Sequence, residues 1–416
     1  MPLKILHTAD WHLGQTFYEY DRSFEHAEFL SWLTTTISEK EIDVLLISGD
    51  IFDVSNPSAA SMSLFYRFLK EVTSKNSKLQ IICIAGNHDS AARLEAPKTL
   101  LEVFNVWVVG TVEWTSDKII DYEKLTIPLY NHNGTVEAFC LAIPFLRPGD
   151  YPSEKGYAAG IESVYLNGID FLNTIRKPDQ AIIVLGHLHT LDAKVTEDDK
   201  SERKILGGLE YVPISAYPDE ITYTALGHIH RPQVIGGRTN VRYAGSPLPM
   251  SFSELNYRHQ VVSVNIEKGR AVSIEPLEIP VTVKLLSVPS SSESLLRVTK
   301  ELQKLPEGDG DEKLYPYLQV RVKPDGPEPS LRHQVESALT GKAVRLARID
   351  VSYSGTGSTE KIKTMSAGDL QKLRPFDMLE RRYKTRYNAE VPEQLASLFN
   401  EVVAGVKNSD LDENPF

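Results

Sequence analysis

A chain of 416 residues is longer than one hydrophobic core commonly serves, so two or more domains are expected. With 41% apolar and 24% charged residues it reads as a soluble globular protein, and no apolar run approaches the roughly 18 residues of a membrane span. A net charge of −11 excludes a protein that holds nucleic acid by bulk electrostatics alone, while local basic stretches, metal ions or a partner remain open. The first residues, "MPLKILHTAD", lack the pattern of a signal peptide. Cys83 and Cys140 both sit in apolar runs, which predicts buried free thiols and a cytoplasmic protein.

In chain order, "LKILHTA" (3–9) predicts a strand and 22–38 a helix, with Phe24, Ala27, Leu30, Leu33 and Ile37 near helical spacing. "VLLIS" (44–48) has the continuous apolar character of a buried strand. The stretch 58–72 predicts a second helix and "LQIICIAG" (79–86) a third strand, an alternation that implies a largely parallel sheet. Short strands are expected over 117–143. "AIIVLG" (181–186) and "TYTALG" (222–227) repeat the buried-strand pattern. Further strands come at 241–252 and 259–281, with a hairpin turn at Lys268-Gly269.

Residues 1–280 are therefore expected to form one α/β sandwich. "SVPSSSES" (287–294) reads as a linker, and strand, helix, strand, helix, strand are expected over 281–353. A second linker, "SGTGSTE" (354–360), closes a domain placed at 281–360. Only helices are expected over 361–416: one opened by the capping box Ser366-x-x-Asp369, one carrying the stripe Phe376, Leu379, Tyr383 and Tyr387, and one after Pro392.

The informative pattern lies in the polar residues that end each apolar run. The first ends on Asp10 and His12, the second on Asp50 with Asp53 three later, and the third on Asn87, His88 and Asp89. The fourth ends on His187 and His189, the fifth on His228 and His230. In open α/β sheets functional groups gather beyond the carboxyl ends of strands. Imidazole, carboxylate and amide oxygen without thiolate suit ions such as Mn, Fe or Zn. In extended chain, residues i and i+2 project to one side, so Asp10/His12 and His228/His230 are each expected to aim two groups into one pocket, or at two adjacent ions. Glycines 49, 86, 186 and 227 are read as points where the backbone turns sharply. Asp10, His12, Asp50, Asn87, His187, His228 and His230 make seven ligands; with Asp50 bridging, they serve two ions. Two such ions clamp attacking and leaving oxygens in phosphoester hydrolysis, with hydroxide as nucleophile.

D-x-H, G-D-x-x-D, G-N-H-D, G-H and G-H-x-H, in this order, resemble the calcineurin-like metallophosphoesterase superfamily. "ILHTADWHLG", "GDIFD", "AGNHDS", "IPFLRPGD", "ALGHIHRPQ" and "YAGSPLPMSF" narrow the resemblance to the nuclease subunits of bacterial SbcCD exonucleases. It is strong over 1–280 and general beyond. It implies a metallophosphoesterase β-sandwich flanked by helices, a small α/β capping domain that recognises DNA, and C-terminal helices that bind an SbcC-type coiled-coil ATPase. It further implies two divalent ions, with manganese as the metal, and 3′–5′ exonuclease and endonuclease activity on hairpins and blocked DNA ends, in DNA repair and recombination. By motif, one ion takes Asp10, His12 and His230, the other Asn87, His187 and His228, and Asp50 bridges. His88 matches the histidine that helps the leaving oxygen depart, and Asp89 is expected to orient it by hydrogen bond. A homodimer through the nuclease domain, with two copies of each subunit, is a family expectation.

Other residues read more plainly. His7 is expected to pack in the sheet. Asp53 is expected to support the bridging loop, and His189 to stand outside the ligand set. Arg147 and Arg231 are candidates for phosphate contact, each balanced by an ordinary loop role. "ERRYKTRY" (380–387) fits a partner-docking helix better than a nucleic-acid surface, because its aromatic stripe is wide. A phosphatase or phosphodiesterase acting on something other than DNA is the alternative for the same site.

Overall fold

The computed structural model describes residues 2–194, 211–352, 375–387 and 389–412, in two compact units, Met1–Lys284 and Leu285–Phe416. The first unit begins β1 (Leu3–Thr8), β2 (Thr16–Phe17), β3 (Tyr20–Asp21), α1 (Ser23–Lys40), β4 (Val44–Ser48), α2 (Ala59–Lys75) and β5 (Gln80–Ile84). It continues α3 (Ala91–Glu95), α4 (Lys98–Glu102), β6 (Val106–Val109), β7 (Thr126–Tyr130), β8 (Val136–Ala142), α5 (Tyr157–Ile175) and β9 (Ala181–His187). It ends β10 (Tyr223–Gly227), β11 (Gln233–Ile235), β12 (Arg238–Tyr243), β13 (Gln260–Glu267) and β14 (Arg270–Glu278).

These strands form two six-stranded sheets, ordered β14-β13-β1-β4-β5-β6 and β11-β12-β10-β9-β8-β7. Their centres are parallel: β1, β4, β5 and β6 in one, β12, β10, β9 and β8 in the other. The apolar runs are continuous because each strand is covered on both faces. Leu3, Ile5, Val44, Leu46, Ile82 and Ile84 face the second sheet and share a core with Cys140, Ile183, Leu185 and Ala225. The residues between them, Leu6, Leu45, Ile47, Ile81 and Cys83, face α1 and α2, packing with Phe29, Leu33, Phe65, Phe68 and Val72. Ser58 caps α2 by accepting the Ser61 N–H at 3.1 Å.

Helix α5 was not expected from sequence, although Ile161, Val164, Tyr165, Ile169 and Leu172 give it a buried helical face. The β13–β14 turn falls at Lys268 and Gly269 as read, both at positive φ (47° and 76°), the geometry of a tight two-residue hairpin.

The second unit contains β15 (Leu285–Glu293), α6 (Leu295–Leu302), β16 (Tyr317–Val322), α7 (Leu331–Ala338), β17 (Arg345–Val351), α8 (Pro375–Tyr387) and α9 (Glu393–Asp412). Strands β15, β16 and β17 pair in parallel, and one face packs Val298, Leu302, Leu318, Val320 and Val335. The expected linker at 287–294 is corrected: most of it is β15. Leu286 and Val288 alternate onto the core, and Leu285–Val288 pair with Tyr317–Val320, which outweighs the serines that come after. Tyr383 is buried, and Phe376 meets Phe399 of α9 at 6.2 Å between ring centroids. Part of the aromatic stripe is thus used within the helical pair. The linker at 354–360 and the box at Ser366 and Asp369 lie outside the described residues. No described helix is long and apolar enough to cross a membrane.

Candidate metal centre

The carboxyl ends of β1, β4, β5, β9 and β10 meet where the two sheets touch. Ser48 donates its hydroxyl to the Ala225 carbonyl at 3.1 Å, and the His228 N–H donates to Asp10 Oδ1 at 2.8 Å. Two of the four glycines explain how closely. A Cβ on Gly227 would lie 1.9 Å from the Ser48 carbonyl oxygen, and one on Gly86 2.1 Å from Asp50 Oδ1. Of the four, only Gly49 has positive φ (+85°). The turning role read for the others is therefore corrected to close approach of chains.

The expectation that D-x-H acts in extended chain is corrected too. Asp10, His12 and Asp50 adopt left-handed φ of 54°, 46° and 48°, and His228 has φ 101°. Side-by-side loop bonds hold the first two: Asp10 N–H to the Gly49 carbonyl and His12 N–H to the Asp50 carbonyl, both 3.0 Å. Such backbone persists only where surroundings enforce it, and it clusters at functional sites.

The side chains so placed form three overlapping donor groups: Asp10, His12 and His230; His12, Asp50 and His88; Asp50, His187 and His228. Within each, the candidate donor atoms lie within 4.8 Å of one another. Asn87 joins them, its Oδ1 3.0 Å from both His187 Nε2 and His228 Nδ1. Asp50 Oδ2 is 3.3 Å from His187 Nε2 and 3.7 Å from His12 Nε2. All seven residues expected to bind metal, with His88, are thus gathered in one place.

The site fits cations by its unmet polarity. Asp10 Oδ2 and His12 Nε2 are buried without a hydrogen-bond partner, each a cost of about 1–3 kcal/mol unless something satisfies it. His187 donates Nδ1–H to the Ser48 carbonyl at 2.8 Å, which leaves Nε2 to face the donors. Burial pushes Asp10 above the usual carboxylate range, against the pull of His187 and His230. Burial acts upward on Asp50 as well, but His187 beside it carries it well below that range. For His187, burial is overcome by Asp50, and its pKa rises to about 9. Buried anions here draw positive charge toward themselves.

His88 donates Nδ1–H to the Asp53 carbonyl at 2.7 Å, and its ring stands edge-on to His12 with centroids 4.8 Å apart. The role read for Asp89 is corrected. Its carboxylate is taken by three backbone N–H groups, of Gly86 (2.9 Å), Ile51 (3.1 Å) and Phe52 (2.9 Å). It fixes the loop that carries Asp50, and the Asp53 carbonyl orients His88. Burial first, then Asp50, raises Asp89 to about 6.

Asp53 also accepts from His12 Nδ1 at 3.2 Å. Glu254, which the sequence reading missed, is buried with Oε1 3.7 Å from His230 Nδ1. Nothing in the mixed stretch around it, "PMSFSELNY" (249–257), marks it; only the pairing of distant segments does. His189 joins none of the three groups and lies edge-on to Tyr211 at 4.6 Å. His7 is buried in β1 and bonded through Nδ1 to the Tyr223 hydroxyl at 2.9 Å. Arg147 donates to the Asp89 carbonyl at 3.3 Å, a loop role, while exposed Arg231 lies over the Tyr257 ring at 5.6 Å.

Imidazole, carboxylate and amide donors beyond the strand ends of two facing sheets define a metallophosphoesterase centre. The comparisons agree. A family profile described as Calcineurin-like phosphoesterase matches residues 3–232, and a second, SbcD_C, described as Type 5 capsule protein repressor C-terminal domain, matches residues 281–387. The chain is 35% identical over 363 residues to the SbcD subunit of the nuclease SbcCD from Rhodobacter capsulatus, covering 85% of this chain and 88% of that one. To the Escherichia coli K12 protein of that name it is 34% identical over 291 residues, covering 67% and 69%. To that of Bacillus subtilis it is 28% identical over 419 residues, covering 98% and 100%. The chain belongs to the calcineurin-like phosphoesterase family and, within it, to the SbcD nucleases of SbcCD, which makes it a metal-dependent hydrolase.

Proposed function

We propose that this chain cleaves DNA phosphodiester bonds with two manganese ions, as a 3′–5′ exonuclease and as an endonuclease on hairpins and blocked ends. The observation that carries the reading is the cluster of buried Asp10, His12, Asp50, His187, His228 and His230 with half-buried Asn87 among them and His88 beside it. Asp10, His12 and His230 would hold one ion, Asn87, His187 and His228 the other, and Asp50 both. Two ions so held would supply charge neutralisation at the phosphoryl oxygens and water of lowered pKa.

The chain's own residues do the rest. His88, with Nδ1 committed to the Asp53 carbonyl, presents Nε2 to the substrate and passes a proton to the departing oxygen. Asp89 acts indirectly, by fixing the backbone of 51–52 and 86. Arg231, exposed beside His230, is placed to meet a flanking phosphate.

The same reading assigns DNA recognition to a capping domain at 281–360 and binding of an SbcC-type ATPase to helices within 361–416. Exposed Met378, Leu395, Leu398 and Val402 support the second assignment. Leu100, Val103 and Phe104, at 65%, 76% and 52% exposure, form an apolar patch of the first unit that supports a homodimer. The reading places the assembly, two copies of each subunit, in the cytoplasm, where two buried free cysteines are at home. Incubation with manganese and hairpin DNA, and separately with phosphomonoesters, tests it. Cleavage of the hairpin is expected; hydrolysis of monoesters alone would overturn the DNA assignment.

A further inference from the structure

The imidazoles that face the cluster are held from behind by two kinds of group. His12 gives Nδ1–H to the Asp53 carboxylate at 3.2 Å. His230 Nδ1 lies 3.7 Å from Oε1 of Glu254, in ion-pair range. Glu254 is 1% exposed, and its Oε2 accepts the Met250 N–H at 3.0 Å. His187 instead gives Nδ1–H to the neutral carbonyl of Ser48 at 2.8 Å. His228 turns Nδ1 into the cluster, 3.0 Å from Asn87 Oδ1.

The division follows the donor groups. Asp10, His12 and His230 include one carboxylate and have two more behind them. Asn87, His187 and His228 carry no carboxylate of their own; they share Asp50, and Asp10 Oδ1 stands 3.9 Å from His187 Nδ1, whose hydrogen bond goes to the Ser48 carbonyl instead. Glu254 is also firmly placed, because the segment before it is strapped at several points. Ser246 N–H donates to the His230 carbonyl at 3.1 Å, Arg22 Nη1 to the Pro249 carbonyl at 2.6 Å, and His259 Nδ1 to the Ser246 carbonyl at 2.8 Å.

A carboxylate on the far nitrogen of a ligating imidazole fixes its tautomer and raises the basicity of the ligating nitrogen. Negative charge in a buried setting also acts through a low dielectric. We infer that Asp53 and Glu254 are positioning residues that make the two cation sites unequal: the Asp10–His12–His230 site fills first and holds its ion, and the Asn87–His187–His228 site fills second and exchanges it. The inference rests on the two-cation reading above. Its consequence is that nuclease activity follows free manganese over the range of the weaker site.

Stepwise addition of Mn(II) to the metal-stripped full-length chain, with free Mn(II) read by electron paramagnetic resonance, gives both dissociation constants without DNA or turnover. The wild-type chain should show two sites at least about tenfold apart. Glu254→Gln keeps an oxygen for the Met250 N–H and removes the charge; Asp53→Asn does the same for His12. Each should weaken the tighter constant about 10–100-fold and move the weaker less than about threefold. Equal wild-type sites, equal shifts of both constants, a shift of the weaker alone, or no shift would each overturn the inference. A wild-type chain that takes up fewer than two ions would overturn the two-cation reading itself. If thermal melting shows Glu254→Gln unfolded, Asp53→Asn decides, since the Asp53 side chain is 31% exposed and tolerates change.

Discussion

Two paired strands of the second sheet run into the same letters, L-G-H-x-H: β9 at 185–189 and β10 at 226–230. They are offset by one residue, for Leu226 stands opposite Gly186 and Gly227 opposite His187. His187 is therefore the last residue of an extended strand, whereas His228 lies beyond its strand and leaves at φ 101°. The middle residues do the same work in both motifs, since Leu188 and Ile229 are both buried. The third residues do not. His230 joins Asp10 and His12, while the chain after His187 is drawn away. The Thr190 N–H donates to the Tyr243 hydroxyl at 2.9 Å, and His189 comes to rest against Tyr211. The two motifs part after their first histidine: His228 leaves its strand at φ 101° and the chain carries His230 to Asp10 and His12, whereas His187 is still within β9 and the chain beyond it turns toward Tyr243 and Tyr211.

The largest effects should come from the second motif. His228→Ala and His230→Ala each remove a donor from a different group, so each should cut manganese uptake by one ion per chain and hydrolysis by about 10³-fold or more. Metal analysis together with hairpin cleavage checks this. Two retained ions in either variant would show that the motif does not serve both groups. His88→Ala should come next, with a loss of about 10²–10³-fold, the scale of a general acid, and both ions retained. Loss of an ion along with activity would make His88 a ligand instead.

The same distinction separates the legible parts of the sequence from the rest. Continuous apolar runs marked β1, β4, β5, β9 and β10, and the polar residues ending them named the cluster, because strand ends converge whatever the details of the loops. Spacing does not predict direction where the sign of a single φ decides it. Asp10 and His12 were read in extended chain and are left-handed. Asp89, next to His88 in sequence, turns to Gly86, Ile51 and Phe52 instead. Glu254 escaped because its partner His230 is distant in sequence and no period links them. Serines hid β15, whose large aliphatic residues, Leu285, Leu286 and Val288, all lie at its start.

The glycines before the two motifs sharpen the comparison at a smaller scale. At Gly227 a Cβ meets the Ser48 carbonyl at 1.9 Å, backbone that cannot yield without parting the sheets. At Gly186 it meets the Tyr165 hydroxyl at 2.3 Å, the far end of a side chain with no hydrogen-bond partner to lose. Gly227→Ala should therefore cost about 3 kcal/mol or more and Gly186→Ala about 1–2 kcal/mol. Urea denaturation followed by tryptophan fluorescence reads the first unit alone, since Trp11, Trp32, Trp107 and Trp114 all lie in it. Equal losses would mean that the two strand ends are equally crowded.

His189→Ala should have the smallest effect: both ions retained, and turnover changed less than about threefold. Its stability terms oppose each other. The variant loses the edge-on contact with Tyr211, worth about 0.5–1.5 kcal/mol. It also removes Nε2, which is buried without a hydrogen-bond partner and costs a similar amount. Its pH dependence is more telling. Burial lowers the His189 pKa from 6.5 to about 4, so the unfolded chain takes up a proton there as pH falls through 6.5 and the folded chain does not until about 4. His189 therefore destabilises the fold progressively over that window, and His189→Ala should resist acid better across it than the wild-type chain. Loss of a bound ion in His189→Ala would instead make the two motifs equals.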